Sequence, residues 1–281
     1  MPRVGSDGTT PGLRHPYGGV EQRAPLAFFA LVFILSIPFW LTAAITRVRL
    51  STDLPVSALM ALCPALAAMI LTYRARGASG VGALVKRPFQ VDWAESGRWY
   101  IAAATLPIAI AVLTYAMLSA SGAPLPSLHF SLGAALAALV AFLVAATFEE
   151  LGWSGYATGP LQARVGAIAA SIVIGMVWAT WHWVPLLQAR RQPEWIGWWS
   201  LGTVGQRVLI VWLYNRARGS VLAAVLIHSM MNVTQVGPFQ NFGPAGYSLD
   251  GIRASSLVIA VAAVLVVTAG RMRQYHTDRG Q

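Results

Sequence analysis

Eight long apolar runs constrain this chain more than any other feature. A helix needs about 20 mostly apolar residues to cross the hydrocarbon core of a bilayer. Windows of that kind fall at 26–45, 55–73, 100–120, 131–148, 167–187, 196–214, 221–236 and 255–270, the fourth and the last two being short. Nearly uncharged apolar runs of this length have few other readings. The expected fold is therefore an all-α polytopic membrane protein, a bundle of about eight transmembrane helices around a polar intramembrane cavity. No internal repeat points to a transporter built from two related halves.

Composition agrees with this and closes other routes. Of 281 residues, 56% are hydrophobic and 11% are charged, where a soluble domain carries about 25% charged residues. The chain lacks the polar groups to cover a water-facing surface. Its net charge of +10 could suit nucleic acid, but the basic residues lie in short segments between the apolar runs. That pattern marks membrane topology, so the expected contact is the lipid bilayer and not nucleic acid. The single cysteine, Cys63, lies inside an apolar run, which excludes an intrachain disulfide and a cysteine-based metal cluster.

Orientation follows from the same charges, because Lys and Arg are retained on the cytoplasmic side. Of the 20 Lys and Arg, fourteen fall in the segments on one side, five (Arg47, Arg49, Arg190, Arg191 and Arg253) on the other, and Arg207 lies within the sixth window. Both termini are therefore expected in the cytoplasm. Residues 1–24, rich in Gly, Pro and Arg, read as a disordered cytoplasmic tail, residues 25–272 as the transmembrane domain, and 273–281 as a second cytoplasmic tail. The first window exceeds a signal-peptide core and is followed by Arg47 and Arg49, so it reads as a retained span. The longest basic segment, from Arg74 to Arg98, leads into Trp99, and its Trp93 and Trp99 suit an interface with anionic headgroups.

Against this apolar background a few residues stand out. Eight of the ten acidic residues lie in tails or loops, whereas Glu149 and Glu150 end an apolar window. Of the five histidines, only His182 and His228 lie within windows. An ionisable group at membrane depth costs roughly 2.5–3.5 kcal/mol on insertion scales and is expected to face a polar cavity. His228 and Asn232 are four residues apart and share a helix face, as do Trp178 and His182. Glu149 and Glu150 are adjacent and point about 100° apart, so one is expected to act in chemistry and the other to support it. Taken singly, each has a plain structural reading: a histidine or Asn232 as interhelical glue, the glutamates as the end of a span. Together they supply a carboxylate base, an imidazole and a donor pair for an oxyanion, the makings of a hydrolytic site.

At these residues the chain resembles the CAAX protease and bacteriocin-processing family of intramembrane endopeptidases, which includes the type II CAAX prenyl endopeptidases. The likeness spans a protease-like core at about 131–236. It rests on Phe148-Glu-Glu-Leu-Gly-Trp-Ser-Gly-Tyr156, on Val177-Trp-Ala-Thr-Trp-His-Trp-Val-Pro185, and on Trp212-Leu-Tyr-Asn-Arg-Ala-Arg-Gly-Ser220 with His228-Ser-Met-Met-Asn232. The resemblance implies an intramembrane endopeptidase that cleaves a membrane-associated protein or peptide, in a bacterial cell (inner) membrane. Glu149 would activate water together with His182, His228 and Asn232 would steady the oxyanion, and Glu150 would support them. No cofactor is then required. The alternative is a catalytic zinc held by Glu149, His182 and His228, although the chain has no HExxH helix. A rival from another class is a non-catalytic scaffold or transporter using the same cavity. The chain departs from the family at two positions, with Trp178 where Phe is usual and Ser154 where Arg is usual. Losing that Arg removes a fixed positive charge beside the carboxylates, which leaves Arg164 or Arg207 to supply it.

Overall fold

The computed structural model describes residues 24–46, 56–123, 125, 132–236 and 248–270. The expected tails at 1–24 and 273–281 fall almost wholly outside the described residues, as do Arg47 and Arg49. Eight α-helices account for nearly all of the described chain: α1 (Pro25–Thr46), α2 (Cys63–Lys86), α3 (Trp93–Ala120), α4 (Leu132–Gly152), α5 (Gly159–Gln188), α6 (Pro193–Arg216), α7 (Val221–Val236) and α8 (Leu249–Thr268). Short 3₁₀ segments, Val56–Leu62 and Arg87–Phe89, flank α2. No strand occurs among the described residues. Each of the eight apolar windows overlaps one helix, so the expected helical membrane bundle is the fold.

Five helical stretches are long and apolar enough to span a bilayer: Pro25–Thr46, Val56–Phe89, Trp93–Ala120, Ala135–Gln188 and Leu249–Thr268. The fourth holds two windows, because α4 and α5 are joined through a π-helical turn, Trp153–Thr158, with no loop between them. Apolar patterning places the fourth window's end at Phe148, yet the helix continues through Glu149 and Glu150. The chain stays helical past its apolar stretch because both carboxylates are bonded to side chains from other helices, as described below. The chain finally breaks at Gly166, whose φ of 81° and ψ of 162° belong to a region open essentially to glycine alone. Large apolar side chains such as Ile45, Ile101, Leu132 and Val264 are exposed on the outer faces. That is the surface a lipid-embedded bundle presents.

α6 is less apolar than its neighbours and lies deepest, with Val208 through Val211 and Leu213 buried. Small residues let other helices approach it closely. A Cβ built on Gly175 of α5 would lie 3.2 Å from the Arg207 Cβ, and one on Gly202 would lie 2.7 Å from the Ser256 Oγ of α8. The tightest approach between two helices is at Gly152, where an added Cβ would meet the Pro64 carbonyl oxygen at 2.5 Å. That contact is with backbone and cannot be relieved by a rotamer change. Gly152→Ala is therefore expected to push α4 from α2 at a cost of at least about 1–3 kcal/mol, read as a lowered unfolding temperature in detergent.

Candidate active site

Trp178 is the centre of the site. It lies on α5, buried, one turn before His182, and four polar groups meet its indole and backbone. Its Nε1–H donates to the Glu149 Oε2 at 2.8 Å. Its carbonyl oxygen accepts the Nδ1–H of His182 at 2.9 Å. The Arg207 guanidinium stacks on the ring with its carbon 4.3 Å from the centroid, and the His228 ring stands edge-on at 5.0 Å.

The adjacent glutamates point in different directions, as their helical offset requires. Glu150 is fully buried and makes a two-pronged ion pair with Arg207, whose two terminal nitrogens lie 2.9 and 3.0 Å from the Oε2 and Oε1 atoms. The His228 Nδ1–H donates to Oε1 at 2.9 Å, and the Ser154 hydroxyl donates to Oε2 at 2.5 Å. A carboxylate offers about four lone-pair positions, and four donors fill them. Glu150 is thereby fixed as an anchor. Glu149 has only the Trp178 N–H on one oxygen, and among the described residues no side chain donates to the other. Its side chain keeps a little exposure, 6% against 0% for Glu150. Of the two, Glu149 is the carboxylate with acceptor positions left open among the described residues.

Both imidazoles are held in one orientation by their Nδ1 bonds. A carbonyl and a carboxylate can only accept, so His182 and His228 each carry hydrogen on Nδ1 and direct Nε2 elsewhere. His182 is half-buried and is flanked by the Trp181 and Trp199 rings, with centroids at 4.7 and 5.3 Å. His228 is 2% exposed. Asn232 follows one turn later on the same face of α7 and is half-buried. The structure thus joins Glu149, Glu150, His182 and His228 through Trp178 and Arg207, with Asn232 one turn beyond. Among the described residues no three His, Cys, Asp or Glu side chains gather closely enough to hold a metal ion.

Two participants were weakly signalled in the sequence. The sequence marks Trp178 by its spacing from His182 and as a Trp where Phe is usual, and its indole N–H is what gives it a role that Phe could not fill. Arg207, the one cation inside a window, is one of two residues the sequence offers for the missing charge; the structure pairs it with Glu150. It also supplies the positive charge whose usual motif position is taken by Ser154, and the small serine adds a hydroxyl to the same carboxylate.

Fold and site define a polytopic helical membrane protein with a buried set of hydrogen-bonded carboxylates and imidazoles. Residues 131–234, which carry all five candidate residues, match the family described as type II CAAX prenyl endopeptidase Rce1-like. The chain is also similar to CAAX prenyl protease 2 of Methanococcus maripaludis, at 36% identity over 106 residues, covering 34% of this chain and 39% of the relative. The chain therefore matches about two fifths of that relative's length.

Proposed function

We propose that this protein is an intramembrane endopeptidase that hydrolyses a peptide bond of a membrane-associated protein or peptide, with Glu149 as the base that activates water. The observation that carries this reading is the unequal bonding of the two glutamates. Glu150 has its four acceptor positions filled, whereas Glu149 keeps an oxygen for a water. In this reading Glu149 takes a proton from that water while the His182 Nε2 helps to hold it, and the hydroxide adds to the scissile carbonyl. The oxyanion then receives hydrogen bonds from His228 and Asn232. For His228 this requires a proton on Nε2 as well as on the Nδ1 that donates to Glu150. Glu149 then passes its proton to the leaving amine, and both peptide fragments depart.

The relative's name and the matched family favour substrates of the CAAX type. The charge distribution supports both termini in the cytoplasm and cleavage from that side of the membrane. No resident metal is needed. The zinc alternative would need Glu149, His182 and His228 on one ion, donors of suitable type that do not gather closely enough in this structure.

Purified protein incubated with a farnesylated CAAX peptide and with its unmodified counterpart tests the proposal. Release of a C-terminal fragment is expected, unchanged after dialysis against a strong chelator. Loss of cleavage in chelator, restored by zinc, would transfer the chemistry to the metal reading. Absence of cleavage from every membrane-anchored substrate offered, together with no new protein termini in membranes of expressing cells, would favour the scaffold or transporter.

A further inference from the structure

At one end of the bundle the first turns of α3 pack on the last turn of α6 and on the turn that follows it. The Tyr100 hydroxyl lies 3.2 Å from the Ser220 hydroxyl, and the Trp99 and Trp212 rings meet edge-to-face at 5.9 Å. Most cations near this end have internal tasks. Arg87 donates to the Gly155 carbonyl, to the Tyr214 hydroxyl at 3.0 Å and to the Gly219 carbonyl at 3.2 Å. Arg218 pairs with Glu95 at 3.0 Å.

Arg98 and Arg216 differ from these. Both guanidiniums rest on the one Trp99 indole, with their carbons 5.1 and 4.5 Å from its ring centroid. Among the described residues neither makes an ion pair. The Arg216 Nε is buried with no acceptor, so stacking, rather than a protein anion, holds this guanidinium in place. Two like charges gathered on one ring repel each other unless an anion lies between or across them. Forked guanidiniums are the side chains best matched to phosphate oxygens. The neighbouring surface is apolar, with Phe89, Trp93 and Ile101 exposed at 73, 65 and 61%, and Ile101 one turn along from Arg98. A free anion has no use for such a rim, whereas a phospholipid meets it with its acyl chains.

We propose that Arg98, Arg216 and Trp99 form a binding site for the phosphate headgroup of an anionic phospholipid at the α3–α6 seam. Both arginines lie in segments the charge pattern assigns to the cytoplasmic side, where the anionic leaflet faces them. The site is built from two helices and is separate from the carboxylate cluster.

The test compares full-length protein in nanodiscs of phosphatidylcholine alone and of phosphatidylcholine with phosphatidylglycerol, reading unfolding temperature and, by native mass spectrometry, retained lipid. Wild type is expected to unfold several degrees higher with phosphatidylglycerol and to retain about one molecule of it. Arg98→Gln/Arg216→Gln should abolish both effects, and Arg74→Gln/Arg76→Gln, an equal loss of charge on the side the charge pattern assigns to the cytoplasm, should preserve them. If the Gln pair does not fold, Arg98→Lys/Arg216→Lys serves, and partial loss is expected because charge remains but the fork does not. Inorganic phosphate in detergent asks whether the phosphate group alone suffices. A rise with phosphate that the pair removes supports the site, with free phosphate as its ligand. Equal lipid retention by the pair and the Arg74/Arg76 control, or no difference between the two nanodiscs for wild type, would overturn the proposal.

Discussion

Glu149→Gln is expected to lower peptide cleavage about 1,000-fold while leaving the unfolding temperature unchanged. A positioned general base contributes roughly 10²–10⁴-fold, and an amide cannot take the proton. Glutamine has nearly the same shape, and its carbonyl can still accept the Trp178 N–H that holds Glu149 at 2.8 Å. Among the described residues Glu149 makes no ion pair, so the change leaves no buried cation exposed. Single-turnover cleavage and thermal unfolding on the same preparation check both halves. Activity within tenfold of wild type would remove Glu149 from the chemistry.

Arg207→Met is expected to be the most damaging change to stability. The guanidinium and the Glu150 carboxylate are both fully buried. Removing one member of such a pair leaves an uncompensated charge and costs about 3–5 kcal/mol. The loss also spreads, because Arg207 stacks on Trp178 and holds the carboxylate that orients His228. Cleavage by any folded fraction should therefore fall as well. Pairing it with Glu150→Leu should recover much of the stability, since an apolar replacement of both partners is often neutral, but should not recover cleavage. Denaturant titration of the two single variants and the double variant gives the coupling. A double variant no more stable than Arg207→Met would show that Arg207 acts through something other than Glu150.

Much of this arrangement was legible in the sequence because its rules are local. Twenty-residue apolar runs gave the helices, and a lone Glu pair and two lone histidines inside them marked the candidate site. The four-residue spacings gave the shared faces of Trp178 with His182 and of His228 with Asn232. The 100° offset between adjacent helical residues required Glu149 and Glu150 to face different partners, and they do so, toward Trp178 and Arg207. The partners themselves were not legible. Whether Arg207 or Arg164 supplied the missing charge depended on how α6 packs against α5, and that packing includes a close approach at Gly175 which no periodicity reveals. The helical path through 151–165 was missed for a related reason. Apolar patterning stops where the polar residues begin, and their helix is sustained by bonds to side chains distant in sequence.

The most direct test of the account is a single-turnover cleavage in ¹⁸O-labelled water, followed by mass analysis of the new C-terminal carboxylate. If Glu149 activates water, the first-turnover product carries one solvent oxygen and the enzyme carries none. An unlabelled product from that first turnover would instead mean that a side-chain oxygen of the protein attacked the substrate, and would contradict Glu149 as a base.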